Sequence, residues 1–274
     1  VSGSRIPVRI GAIVGCILVF SALLIIWMLR LSVDHDVYVS ELGAPDLPTA
    51  RWFEAALLLI VIGASLIALP GRDLRSRVRW LAVWTPAVSL WISSGFFLIA
   101  SQVTCTPGCP VPEGATFTWQ DFIHTSIAVL AFAAACVAMV QVAFARGHRG
   151  IARMSLAAAV VVAVVSGAGG ILSLAHFQQG FGSRLELAAT TVALGWLVAL
   201  GLSLALRRTG SAALSANHLE HLVGEMHEHE DLVLVPVDPA ALRIPGDRHE
   251  RVMLLPDEKR ALRPENVLLP PDLA

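Results

Sequence analysis

Lysine is almost missing from this chain: of 20 basic residues only Lys259 is one, and the rest are arginine. We read that bias as the codon usage of a high-GC bacterial genome. Charge of either sign is also scarce. At 15% charged the chain is far below a soluble domain, where roughly 25% is usual. A soluble globular body is therefore excluded. Scarcest of all is charge inside the long apolar runs. No Asp, Glu, Lys or Arg lies near the middle of any of them, which argues against an ion or proton path through a bundle. No convincing inverted repeat is visible, and that weakens a transporter reading further. The N-terminal run is too long for a cleavable signal, and no small-x-small site follows it. Cys16 lacks the apolar stretch that a lipoprotein cleavage site needs.

What is present is apolar sequence in long blocks. Six runs, approximately 10–31, 51–70, 79–101, 121–145, 152–175 and 185–206, are long enough to cross ~30 Å of hydrocarbon at 1.5 Å per residue. Charge, Pro or Gly ends each, as at Pro70-Gly71 and Arg207-Arg208. With the N-terminus inside, eleven of the fourteen arginines before the tail fall on the inner side and three, Arg30, Arg51 and Arg184, on the outer side. That bias sets the orientation. Trp27, Trp52, Trp80 and Trp119 lie near span ends, as interfacial anchors do. Gly11-Ala-Ile-Val-Gly15, Gly167 with Gly169 and Gly170, and Ala133 to Ala135 offer small faces for helix packing.

The expected fold is an all-α bundle of six transmembrane helices, N-in and C-in, over residues 1–208. A tail over 209–274 follows on the cytoplasmic side. It holds twelve acidic and six basic residues. Ser215 to Asp231 reads as an amphipathic helix, with Leu219, Leu222 and Met226 on one stripe. A Pro-rich, mostly irregular segment follows and is suited to docking on a cytoplasmic protein through residues 211–274. His218, His221 and Glu225 share one face there, which reads as solvated. The lipid bilayer is the expected environment, in a bacterial plasma membrane. No nucleic-acid partner is expected.

Unusual polar residues gather on the outer face. The first outer loop carries Asp34, His35, Asp36, Tyr38, Ser40 and Glu41. The second carries Cys105-Thr-Pro-Gly-Cys109 and ends in Asp121-Phe-Ile-His124; the third carries His176, then Ser183-Arg184-Leu-Glu186. Asp121, His124 and His176 are candidate metal ligands, because a carboxylate and two imidazoles can hold zinc or another divalent ion with one position open to water. Such a centre hydrolyses an ester or amide, with Ser40 and Glu41 as candidate catalytic groups. The alternative is structural: Thr118-x-x-Asp121 and Ser183-x-x-Glu186 both fit capping boxes. Cys105 and Cys109, around Thr-Pro-Gly turn chemistry and in an oxidising compartment, are expected to form a disulfide. Cys16 and Cys136 read as packed thiols.

Val39-Ser40-Glu41-Leu42-Gly43-Ala44, Asp121-x-x-His124 and a Gly-rich outer loop before Arg184 resemble a bacterial and archaeal membrane family, domain of unknown function number 998. The resemblance covers approximately residues 8–206. It implies a six-span or similar bundle, no established activity, and attention to Ser40, Glu41, Gly43, Asp121 and His124. The inventory of Ser40, Asp121, His35, His124 and His176 also resembles the transmembrane hydrolase superfamily that includes alkaline ceramidases. The span count, order and spacing differ from that superfamily. Three function classes follow: an accessory membrane protein with an outward polar site, an outward-facing metal-dependent hydrolase, and a transporter or ligand-binding protein.

Overall fold

The computed structural model describes residues 5–106, 109–110, 117–146, 149–174 and 179–228. Every regular element among them is helical: α1 (Arg5–Leu31), α2 (Ala50–Ala68), α3 (Pro86–Gln102), α4 (Trp119–Ala143), α5 (Arg149–Leu174) and α6 (Gln179–Glu228). Short 3-10 turns at Ser40–Gly43, Leu69–Asp73 and Trp80–Ala82 join them. The chain separates into two compact units, Val1–Glu220 and His221–Ala274. The described part of the second, through Glu228, is helical.

Five helical stretches are long and apolar enough to cross a membrane: Pro7–Leu31, Ala50–Asp73, Trp119–Ala143, Arg149–Ser173 and Gly180–Leu206. The chain is thus a polytopic helical membrane protein. Its outward apolar side chains, among them Ile17, Phe20, Met28, Val164 and Ile171, are more than half exposed. Water would penalise such a surface and lipid would not.

The third apolar run is organised differently from the expected span. α3 begins at Pro86, with Thr85 as its N-cap, and Trp80–Ala82 is a separate turn. Proline suits the first helical turn and disfavours helix just before it. α3 therefore keeps 17 residues, about 25 Å of rise. The preceding turn is tied down by Gln141 of α4. Its amide donates to the Leu81 and Trp84 carbonyls and accepts from the Ser89 hydroxyl, itself the acceptor of Trp84 Nε1–H. A buried amide is tolerated here because its hydrogen-bonding groups are matched.

Packing follows the small residues, though not at every glycine the sequence suggests. α1 crosses α2 where Gly15 meets Gly63: a Cβ on Gly15 would sit 2.7 Å from the Gly63 carbonyl oxygen, and one on Gly63 would sit 2.8 Å from that of Gly15. Gly201 of α6 lies against Cys16 and Ile67, so three helices meet at one level. Gly167 and Gly170 face open space. α6 is further joined to α1 by Trp27 Nε1–H donating to Thr191 Oγ1, and to α5 by Trp196 Nε1–H donating to Ser155 Oγ.

The two ends of the bundle differ. At one end a bridge between Ser76 and Ala145 joins the α2–α3 and α4–α5 connections, and Arg72 stacks over Trp91. The other end is covered by the Ser40–Gly43 turn and the Cys105 loop.

Candidate functional site

The loop after α1 is held down by α6. Glu186 projects from the second turn of α6, and its carboxylate accepts from the Val39 and Ser40 backbone N–H groups at 2.7 and 3.3 Å. Those N–H groups open the Ser40–Gly43 turn, so a carboxylate caps them as it would a helix start. α6 begins at Gln179 rather than near 185, which puts Ser183 inside the helix, its hydroxyl donating to the Gly180 carbonyl. Glu186 thus caps another element instead of its own. Glycines make the close approach possible. A Cβ on Gly180 would lie 2.8 Å from Asp36 Oδ2, and one on Gly182 would lie 3.0 Å from the Tyr38 hydroxyl. On the same turn, Gly43 leaves room for the Phe53 ring.

Asp36 completes this clamp between Arg30 and Arg184, at 2.6 and 3.1 Å. The Arg184 hydrogen bond, helped by the charge of Arg30, holds the Asp36 carboxyl below the usual range. His35 is exposed and takes part through its carbonyl, which accepts from Arg30. A depressed folded pKa means that the clamp contributes fully above the unfolded value of about 3.9 and loses its contribution as pH falls through the folded value. Wild type and Asp36→Asn should therefore differ modestly in thermal midpoint near neutral pH. The gap should close on acidification below roughly pH 4, as thermal unfolding in detergent across that range will show.

The second half of the cap is the Cys105 loop. Cys105 and Cys109 form a disulfide with a Cα–Cα distance of 5.2 Å, and Cys109 sits at a left-handed φ of 42°. Ser40 touches both sulfurs: its hydroxyl lies 3.7 Å from Cys109 Sγ and its carbonyl oxygen 3.6 Å from Cys105 Sγ. Asp121, fully buried at the start of α4, ties this loop to the helix. Its carboxylate accepts from Thr106 N–H and Thr106 Oγ1, both at 2.8 Å, and from Thr118 Oγ1. Thr118 Oγ1 in turn accepts from Asp121 N–H. Half of the expected capping box is formed, and the carboxylate is spent on the loop.

One turn on, His124 is 5% exposed. Its Nδ1 lies against the Val103 carbonyl, so that the neutral ring carries its proton there and its lone pair on Nε2. Nε2 is buried and has no hydrogen-bond partner among the described residues. The predicted site residues thus divide. Ser40, His124 and Glu186 line one cavity, and Ser40 and His124 line a second. Asp121 faces Thr106 and Thr118. Glu41 contributes backbone bonds to Tyr38 and Ala44 within the turn. His176 lies outside the described residues.

The first cavity runs down from this cap, with a free volume of about 90 Å³. From Glu186 to Leu197 on α6 and from His124 to Met139 on α4 its walls extend on the order of 16–22 Å. Below the cap they are almost wholly apolar, with Leu57, Ile60, Phe97, Phe132 and Leu194 among them. Ser94, midway, has a buried hydroxyl without a partner among the described residues. The second cavity, about 190 Å³, opens between Pro45, Arg51, Glu54 and Thr104. No spacing in the sequence marks these cavities, since their walls come from helices far apart in the chain.

A family model covers residues 13–203, from early α1 through the first half of α6, and so takes in the whole cap and both cavities. The chain belongs to the family described as protein of unknown function, DUF998. Comparison with curated proteins and with solved structures finds no match. The Ser40–Gly43 turn of this DUF998 chain is where Glu186, Phe53 and both cysteines converge.

Proposed function

We propose that this is a six-span plasma-membrane protein, N-in and C-in, that holds a single-chain amphipathic lipid. The polar group sits under the outer cap and the chain in the cavity below. The observation that carries this is the partition of one cavity wall: Ser40, His124 and Glu186 at the cap end, apolar residues beneath. Narrow, mostly apolar cavities with a few placed polar groups are how proteins orient small ligands. The unpartnered His124 Nε2 at the cap supplies hydrogen-bonding capacity that a ligand's polar end can use. The arginine bias supports the orientation. α3 counts as the sixth span in this reading, with the Trp80–Ala82 turn at the inner interface. The role is that of an accessory, ligand-holding membrane protein, and the acidic tail is the segment offered to a cytoplasmic partner.

The test is extraction of the purified full chain followed by mass spectrometry of what co-purifies. One amphiphile in roughly stoichiometric amount is expected. Ala128→Phe and Ala193→Phe fill the wall and should lower its retention about tenfold or more, a loss of at least 1.4 kcal/mol, while the protein stays monodisperse. No bound amphiphile in the wild type, or equal retention in both variants, would refute the reading.

An outward-facing hydrolase is the second reading, favoured by the free lone pair on His124, which is what a general base needs. Turnover of a lipid ester that is lost in His124→Gln and retained in Glu41→Gln would favour it over simple holding.

A further inference from the structure

The disulfide of the outer cap stands beside a ligand it does not use. Cys105 Sγ, Cys109 Sγ and a ring nitrogen of His124 lie within 4.8 Å of one another. Two features prepare His124 for coordination. The Val103 carbonyl accepts from Nδ1–H and fixes the ring, the support usually found behind a ligating imidazole. Nε2 keeps its lone pair, is buried and is unpartnered among the described residues. Cys105 is fully buried and Cys109 half-buried, so the site is largely but not wholly screened from water.

We propose that the reduced protein binds one zinc-class cation through Cys105, Cys109 and His124, and that the disulfide is the metal-free state of the same site. A thiol reductant opens the bond by exchange: the Cys105–Cys109 bond breaks, the reductant becomes its own disulfide, and each cysteine sulfur gains a proton. On binding, the divalent cation displaces both thiol protons to solvent. Two thiolates and a neutral imidazole give a complex with no net charge, which suits a buried position. Two sulfurs and one nitrogen are a zinc donor set that leaves a fourth position for water. The Ser40 hydroxyl lies 3.7 Å from Cys109 Sγ, beside that centre. The two states exclude each other, because the disulfide occupies both thiolates. This site stands independently of what fills the apolar cavity.

The experiment uses the full chain in detergent, reduced with a dithiol, desalted without oxygen and titrated with cobalt(II). Thiolate-to-cobalt charge-transfer absorption should rise to one equivalent and be abolished by zinc. Air-oxidised protein should show none. Cobalt held by histidines alone gives no such band, so the readout reports sulfur. Cys105→Ser with Cys109→Ser should remove the band. His124→Ala should lose the tetrahedral ligand-field bands, and His124→Cys should bind with a stronger charge-transfer band from its third sulfur. A reduced wild type without the band overturns the proposal, as does a spectrum unchanged in His124→Cys. The latter comparison decides the matter even if His124→Ala proves unstable.

Discussion

Gly63→Leu is expected to leave no monodisperse protein, and Gly63→Ala to lower the thermal midpoint by roughly 4–8 °C, about 2 kcal/mol. The reason is the atoms a new Cβ would meet: the Gly15 carbonyl oxygen at 2.8 Å and Val19 Cγ2 at 2.7 Å. The first is backbone and cannot rotate away, so α1 and α2 must separate. In a bilayer that separation is costly, because lipid gives apolar helices no general drive to associate and close contact must provide it. The same level carries Gly201, Cys16 and Ile67 of the three-helix junction, so the disturbance spreads to α6. Gly95→Ala and Gly167→Ala are the controls. A Cβ at either meets nothing within 4 Å, and alanine is the better helix former by about 1 kcal/mol. Those variants should melt at or slightly above the wild type. Equal losses for all three would mean that glycine acts through helix flexibility instead of close packing.

This contrast shows how far composition reads. Apolar runs ended by Arg, Pro and Gly identify the helices, because burying charge in lipid and continuing a helix through Pro are both expensive. They also predict Gly15 as a packing residue. They do not predict its partner: Gly63 stands alone in α2 without a small-xxx-small neighbour, and a crossing point depends on two chains of atoms at once. Likewise Gly167 and Gly170 have the spacing of a packing face and find no partner within reach. At the candidate site, the Ser-Glu-Leu-Gly stretch forms the Ser40–Gly43 turn and Asp121-x-x-His124 opens α4. Their chemistry was less legible. Glu186 reads from sequence as a cap for its own helix, but α6 starts a turn earlier and delivers the carboxylate to Val39 and Ser40. Local spacing cannot show which remote N–H groups lack a partner. The cavity is legible nowhere in the sequence, since its walls are assembled from α1, α2, α3, α4 and α6.

Asp121→Ala should destabilise the protein by about 3–4 kcal/mol, the larger loss at the cap, and Asp121→Asn by roughly 1–2 kcal/mol. The carboxylate is fully buried and accepts one backbone N–H and two hydroxyls. Alanine leaves the Thr106 N–H without its acceptor and strips both hydroxyls of theirs, beside a carboxylate site that is itself closed to water. Asparagine keeps one acceptor oxygen for the Thr106 N–H, and the two threonine hydroxyls can turn to accept from its amide. Geometry survives there while the charge assistance is lost. Thermal unfolding in detergent measures the order, alanine well below asparagine and asparagine below wild type. A second readout locates the damage: alkylation of Cys105 and Cys109 after mild reduction should quicken in Asp121→Ala, because Thr106 is the residue next to Cys105 and is held by that carboxylate. The pair of readouts also separates two roles for Asp121. If it chiefly served a cation, alanine would abolish cation binding while moving the midpoint little, and the neutral asparagine would fare almost as badly in binding. A large loss of stability that asparagine mostly restores is the signature of a carboxylate whose oxygens are committed to the loop.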